Sequence, residues 1–126
     1  MKNNIMQSKN QFQNIYWKKI QTGDIQVPRV IDKLTPSYDL EKFKASDFDI
    51  TVTAQRSALA LGINRREIDD VVATMTPEHF YKSMTSYANN KIWQDVYHVP
   101  YQDMLLYIKF TEDVVAEFKL LSFKEK

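Results

Sequence analysis

The side chains that most often carry chemistry are unevenly supplied in this chain of 126 residues. Cysteine is absent, which removes disulfides, thiolate metal sites and thiol catalysis together. The only histidines, His79 and His98, have no carboxylate cluster framing them, so each is expected to serve surface or packing and no metal site is expected. Their spacing gives no support to a histidine pair acting on one phosphate. What remains is polar residues inside apolar runs. In Ile92-Trp93-Gln94-Asp95-Val96-Tyr97, strand parity places Gln94 on the face of Ile92 and Val96, with Trp93 and Tyr97 on the other. Tyr107 likewise sits inside Leu105-Leu106-Tyr107-Ile108, and Lys109 shares its face. Such residues are either a satisfied core amide and a core aromatic, or a sheet face bearing Gln, Tyr and Lys that suits an anionic ligand.

The elements that must hold these residues follow from the pattern beyond Pro36. Leu40 and Phe43, at i and i+3 after Ser37, predict a short helix ending near Ala45. Ile50 to Thr53 alternates as a short strand, and Thr53 is expected to cap a helix running to Leu61 and stopped by Gly62. Asn64 and Glu67 have capping-box spacing, with Ile68, Val71, Val72 and Met75 following at helical period. Thr76-Pro77-Glu78 reads as the start of another short helix. The period then changes. Residues 82–87 and 91–99 predict two strands around Ala88-Asn89-Asn90, where asparagine tolerates positive φ. Residues 104–110 and 115–123 predict two more, turning at Thr111-Glu112-Asp113. Short helices followed by an antiparallel meander make an α+β domain.

Residues 54–75 also have the outline of a helix-turn-helix, helix then Gly62-Ile63-Asn64 then helix. A recognition helix must offer basic or amide side chains to DNA, whereas this one shows Glu67, Asp69 and Asp70 beside Arg65 and Arg66. An αα-hairpin covering a sheet is the expected reading.

The net charge of +1 hides an asymmetry. Residues 1–35 hold six basic and two acidic side chains, or +4, and the remainder eleven and fourteen, or −3. The first segment, rich in Asn, Gln and Lys with one aromatic island at Ile15-Tyr16-Trp17, reads as a flexible basic extension ending near Thr35-Pro36. No apolar run approaches the roughly 20 residues of a membrane helix, and the N-terminal residues show no secretory core. A cytoplasmic address without membrane association is expected.

Four segments resemble the MqsR toxin family. They are Phe80-Tyr81-Lys82-Ser83-Met84-Thr85-Ser86-Tyr87, Ile92-Trp93-Gln94-Asp95-Val96-Tyr97, Tyr107-Ile108-Lys109 and Leu121-Ser122-Phe123-Lys124-Glu125-Lys126. The likeness extends more weakly upstream through Thr53-Ala54-Gln55-Arg56-Ser57-Ala58-Leu59 to about Pro36, and residues 1–35 have no counterpart in it. The resemblance implies a RelE-like α+β fold in residues 36–126. It also implies an mRNA interferase of a type II toxin–antitoxin pair, which cuts single-stranded mRNA at GCU-type sequences independently of the ribosome and inhibits translation. The implied partner is an MqsA-like antitoxin, a zinc-bearing DNA-binding protein, and the toxin alone is expected to be a monomer. The family's functional positions fall on Lys82, Gln94, Tyr107 and Lys124. The segment His98-Val99-Pro100, read as a loop, is less basic than the family pattern.

Metal-free RNA cleavage must deprotonate the ribose 2′-hydroxyl, stabilise the charge on the phosphorane and protonate the leaving 5′-oxygen. Lys82 and Lys124 suit the phosphorane as point charges. Tyr107 suits proton transfer, provided neighbouring cations depress its pKa, or phosphate positioning. Gln94 suits orientation. No cofactor is expected. With 13% aromatic residues, base stacking is available to Tyr81, Tyr87 and Tyr97, and Lys109 is a further RNA-binding candidate. The alternative is a non-catalytic module that keeps the fold to bind a partner or nucleic acid.

Overall fold

A computed structural model describes residues 30–126. The aromatic island and the rest of residues 1–29 lie outside the described residues. The described residues form three helices, α1 (Leu40–Ala45), α2 (Val52–Ala60) and α3 (Arg65–Ala73), and one six-stranded sheet. Its strands are β1 (Asp32–Lys33), β2 (Asp49–Ile50), β3 (Phe80–Thr85), β4 (Trp93–Tyr101), β5 (Met104–Asp113) and β6 (Glu117–Glu125). They lie in the order β1-β3-β4-β5-β6-β2, antiparallel except where β2 runs parallel to β6. The expected α+β class, helices first and meander second, is borne out.

Each helix starts on a side-chain cap. Asp39 accepts hydrogen bonds from the Glu41 and Lys42 amides at the head of α1. Thr51, not Thr53, caps α2 by accepting from the Ala54 amide. The expected strand at 50–53 is correspondingly cut to Asp49–Ile50, because Thr51 also donates its amide to the Leu120 carbonyl and turns the chain into the helix. The Asn64–Glu67 capping box forms as its spacing predicts. Gly62, at φ +78°, ends the α2 segment in the left-handed region that favours glycine. After α3, Pro77–His79 makes only a single 3-10 turn.

All three helices cover one face of the sheet. The α2 helix buries only Ala54 and Ala58, small enough for its backbone to lie close to β6, while α3 buries Ile68, Val71 and Val72. Phe43 of α1 is fully buried and stacks flat on Phe110 of β5, with centroids 3.8 Å apart. Hairpin, sheet and α1 thereby share one apolar core. The αα-hairpin expected over residues 54–75 is a cover for the sheet. Asp95, buried on that side of β4, accepts from the Ser37 and Tyr38 amides at 3.0 and 2.9 Å and pins the entry to α1.

Four local expectations need correction. The asparagines between β3 and β4 have ordinary φ, because Asn89 accepts from the Lys91 amide through its side chain and from the Ile92 amide through its carbonyl. Positive φ occurs instead at Gln102 (54°), in the β4–β5 turn, and at Glu117 (70°), after the β5–β6 turn. That second turn lies beyond Asp113, whose carboxylate accepts from the Val115 and Ala116 amides. His98-Val99-Pro100 is part of strand β4 and not a loop. Finally, Asp32 and Lys33, within the segment expected to extend freely, pair with Met84 and Ser83 as an edge strand.

Candidate active site

Strand alternation decides which side chains leave the core. On β4, Tyr97 and Val99 enter it, and Gln94, Val96 and His98 take the other face. On β5, Leu106, Ile108 and Phe110 enter and Tyr107 and Lys109 leave; on β6, Phe123 enters and Lys124 leaves. No described helix covers this second face.

On β3 a bulge alters the alternation. Phe80 is registered with Tyr97 and Lys82 with Val96, so Tyr81 is the extra residue. Phe80 packs edge-on against Tyr97 in the core, while Tyr81 and Lys82 both reach the open face. The result is a row running across four strands. Lys82 Nζ lies 5.5 Å from the Tyr81 ring centre, Tyr81 stacks on His98 at 4.2 Å, His98 lies 5.9 Å from Tyr107, and Lys124 Nζ sits 5.1 Å from the Tyr107 ring.

Register explains the rest of the row. Tyr107 is paired with His98 on one side and Lys124 on the other. Val96 is paired with Lys82 and with Lys109, and it is fully buried although it faces away from the helices. The two lysines flank it in register from the neighbouring strands.

Three of the four expected functional residues, Lys82, Tyr107 and Lys124, are therefore brought together. Gln94 shares the face but stands four residues along β4 from His98, roughly 13 Å at the rise of a strand. It lies diagonal to Lys82 and Lys109. Of the stacking candidates, Tyr81 is half exposed within the row. Tyr87 is exposed in the β3–β4 turn, past the far end of β3. Tyr97 has to be withdrawn: only 1% of it is exposed and its ring is packed between Phe80 and Phe110, so no base can stack on it.

Protonation also departs from expectation. Burial raises the Tyr107 pKa, and the opposing pull of Lys82 does not reverse it, so the phenol keeps its proton at neutral pH. Burial, then the Lys124 charge, lowers the Lys109 pKa. Burial, then the Lys126 charge, lowers the His98 pKa, leaving a neutral imidazole at pH 7.

Two residues at this site were not legible as functional in the sequence. His98 looked like an isolated histidine, although its parity with Gln94 was the available signal. Asp32 forms an ion pair with Lys82 at 3.3 Å, delivered by an edge strand two residues long that no sequence pattern announces. His79 stays outside the row; its Nδ1 accepts from the Thr76 amide and closes a local turn. Among the described residues no group of three or more His, Asp or Glu side chains gathers in a metal-binding arrangement.

Residues 35–125 match the family model described as motility quorum-sensing regulator, toxin of MqsA. The chain belongs to the MqsR toxin family. It is similar to the mRNA interferase toxin MqsR of Escherichia coli (strain K12), with 34% identity over 100 residues, covering 76% of this chain and all of that protein. The matched region contains α1 to α3, β2 to β6 and every residue of the row. It leaves out β1, and with it Asp32.

Proposed function

We propose that this protein is the toxin of a type II toxin–antitoxin pair, an endoribonuclease that cuts single-stranded mRNA at GCU-type sequences without the ribosome or a divalent metal. The observation that carries the reading is the row in which Lys82, Tyr107 and Lys124 converge on one open sheet face, in a chain of the MqsR family. Two ammonium groups flanking a protonated phenol form a cradle for one phosphodiester. Lysine charges offset the negative charge that builds on the phosphorane, and their effect is strongest in the transition state. Tyr107, protonated, donates a hydrogen bond to a phosphate oxygen or its proton to the leaving 5′-oxygen. Gln94, on the same face and diagonal to Lys82 and Lys109, orients a neighbouring nucleotide, and Tyr81 offers a π-face to a base.

The catalytic unit on this reading is residues 36–126, with a RelE-like arrangement. The protein acts as a monomer in the cytoplasm and is held inactive by an MqsA-like antitoxin. The deciding experiment incubates purified protein with a defined single-stranded RNA carrying one GCU, in EDTA, with and without such an antitoxin. Cleavage at the motif that the antitoxin abolishes supports the reading. Absence of cleavage, with RNA still bound, favours the alternative of a non-catalytic binding module.

A further inference from the structure

Cleavage through the ribose 2′-hydroxyl needs a group that accepts a proton at neutral pH. A lysine ammonium has none to accept with, and a protonated phenol is a donor. The one side chain of the row that is a base in its ordinary state is His98. It sits at the middle, stacked on Tyr81 and 5.9 Å from Tyr107. We propose that His98 is the general base of the reaction, taking the proton of the attacking 2′-hydroxyl while Tyr107 protonates the leaving oxygen. This inference rests on the endoribonuclease reading and deepens it.

The geometry fits one phosphodiester laid across the row. Attacking and leaving oxygens lie on opposite sides of the phosphorus. Two rings 5.9 Å apart on one face can each reach one of them over a hydrogen bond of about 2.6–3.2 Å. The O2′–H bond breaks and its proton goes to the imidazole. The O2′–P bond forms, the P–O5′ bond breaks, and the Tyr107 proton passes to O5′. The products are a 2′,3′-cyclic phosphate and a free 5′-hydroxyl, and solvent returns the imidazolium and the phenolate to their starting states.

The surroundings favour this assignment of roles. Facing His98 are Tyr81 and Lys82 from β3, Tyr107 and Lys109 from β5, Lys124 from β6 and Lys126 beyond it; Asp32 is paired to Lys82. Burial of the ring, and after it the Lys126 charge, disfavours an imidazolium in the free enzyme, and the base is available at neutral pH. The anionic phosphate then stabilises the imidazolium as it forms. Tyr81 fixes the ring plane by stacking on it.

The test is the pH profile of kcat/KM on a short fluorogenic single-stranded RNA in EDTA. The parent enzyme should lose activity in acid along a single limb whose midpoint lies below the ordinary histidine value of 6.5. His98→Ala and His98→Gln should each lower kcat by about 10²–10⁴-fold, the usual contribution of a positioned base, and abolish that limb. Added imidazole should restore part of the rate to His98→Ala. His79→Gln should keep the limb. If either His98 variant cleaves within a few-fold of the parent, or cleaves slowly with the acid limb intact, His98 is not the base. Should both variants fail to fold, a parent profile flat between pH 5 and 7 overturns the proposal and the acid limb supports it. A parent enzyme that cuts no RNA overturns the endoribonuclease reading and this one with it; cleavage by the parent with unaffected variants overturns this one alone.

Discussion

Replacing Asp32 by Asn should make the enzyme bind RNA more tightly without making it faster. Asp32 Oδ2 lies 3.3 Å from Lys82 Nζ, so an RNA phosphate that uses Lys82 must share or displace a resident carboxylate. The pair is open to water, with 56% of the Asp32 side chain exposed and 28% of Lys82, and such pairs couple by about 0.2–1 kcal/mol. At RT ≈ 0.59 kcal/mol that range corresponds to roughly 1.4- to 5-fold, the expected fall in KM for Asp32→Asn at low salt. The same coupling bounds the stability lost at no more than about 1 kcal/mol, since the β1 pairing with β3 uses backbone groups. The gain in binding should shrink as salt rises, because at 1 M the screening length of about 3 Å matches the separation of the pair. Steady-state cleavage of a fluorogenic RNA at 25 mM and 500 mM salt measures both effects. A rise in KM, or a fall in kcat with KM unchanged, would refute the competition argument and make Asp32 a residue that positions Lys82.

Lys82→Ala, Gln94→Ala, Tyr107→Phe and Lys124→Ala should each slow cleavage with circular dichroism unchanged. The lysines should cost most, on the order of 2–4 kcal/mol of transition-state stabilisation, and Lys124→Arg should recover only part because a planar fork does not reproduce a compact ammonium. Phe43→Ala empties the site against Phe110 and should lower unfolding free energy by about 3–5 kcal/mol in urea titrations; a loss below 1 kcal/mol would place the core elsewhere. Tyr97 is buried and its pKa is pushed up to about 12, chiefly by burial, so its contribution to stability is complete below pH 10.0 and lost as pH rises toward 12. Tyr97→Phe should therefore show a shallower loss of stability between pH 10 and 12 in thermal melts, and an equal slope would contradict the assignment. Deleting residues 1–29 removes five basic side chains and Asp24 while sparing β1. It should flatten the plot of log RNA affinity against log salt with the cleavage site unchanged, and an identical slope would show that the segment makes no phosphate contact.

Much of the fold was legible in the chain because its determinants are local. The Asn64–Glu67 box, the apolar period of α3 and the alternation along β4 and β5 each act within a few residues, so pattern alone locates them. Parity also told which side of the sheet Gln94, Tyr107 and Lys109 would share, and the phrases around Lys82, Gln94, Tyr107 and Lys124 carried the family. Other features are set by contacts between distant segments. Tyr97 looks like any strand tyrosine until the register sets it between Phe80 and Phe110. His98 gains its significance from the bulge that turns Tyr81 onto it, and a bulge is a mismatch between two strands that neither encodes alone. Asp32 reaches Lys82 only because β1 finds the free edge of β3, 50 residues downstream. The pKa of Tyr107 moves opposite to what its cationic neighbours suggest, since desolvation depends on what covers a group, and covering is a property of the packed sheet. Period and capping act along the chain and can be read there. Register, burial and charge pairing act across it, and those decide the chemistry of this face.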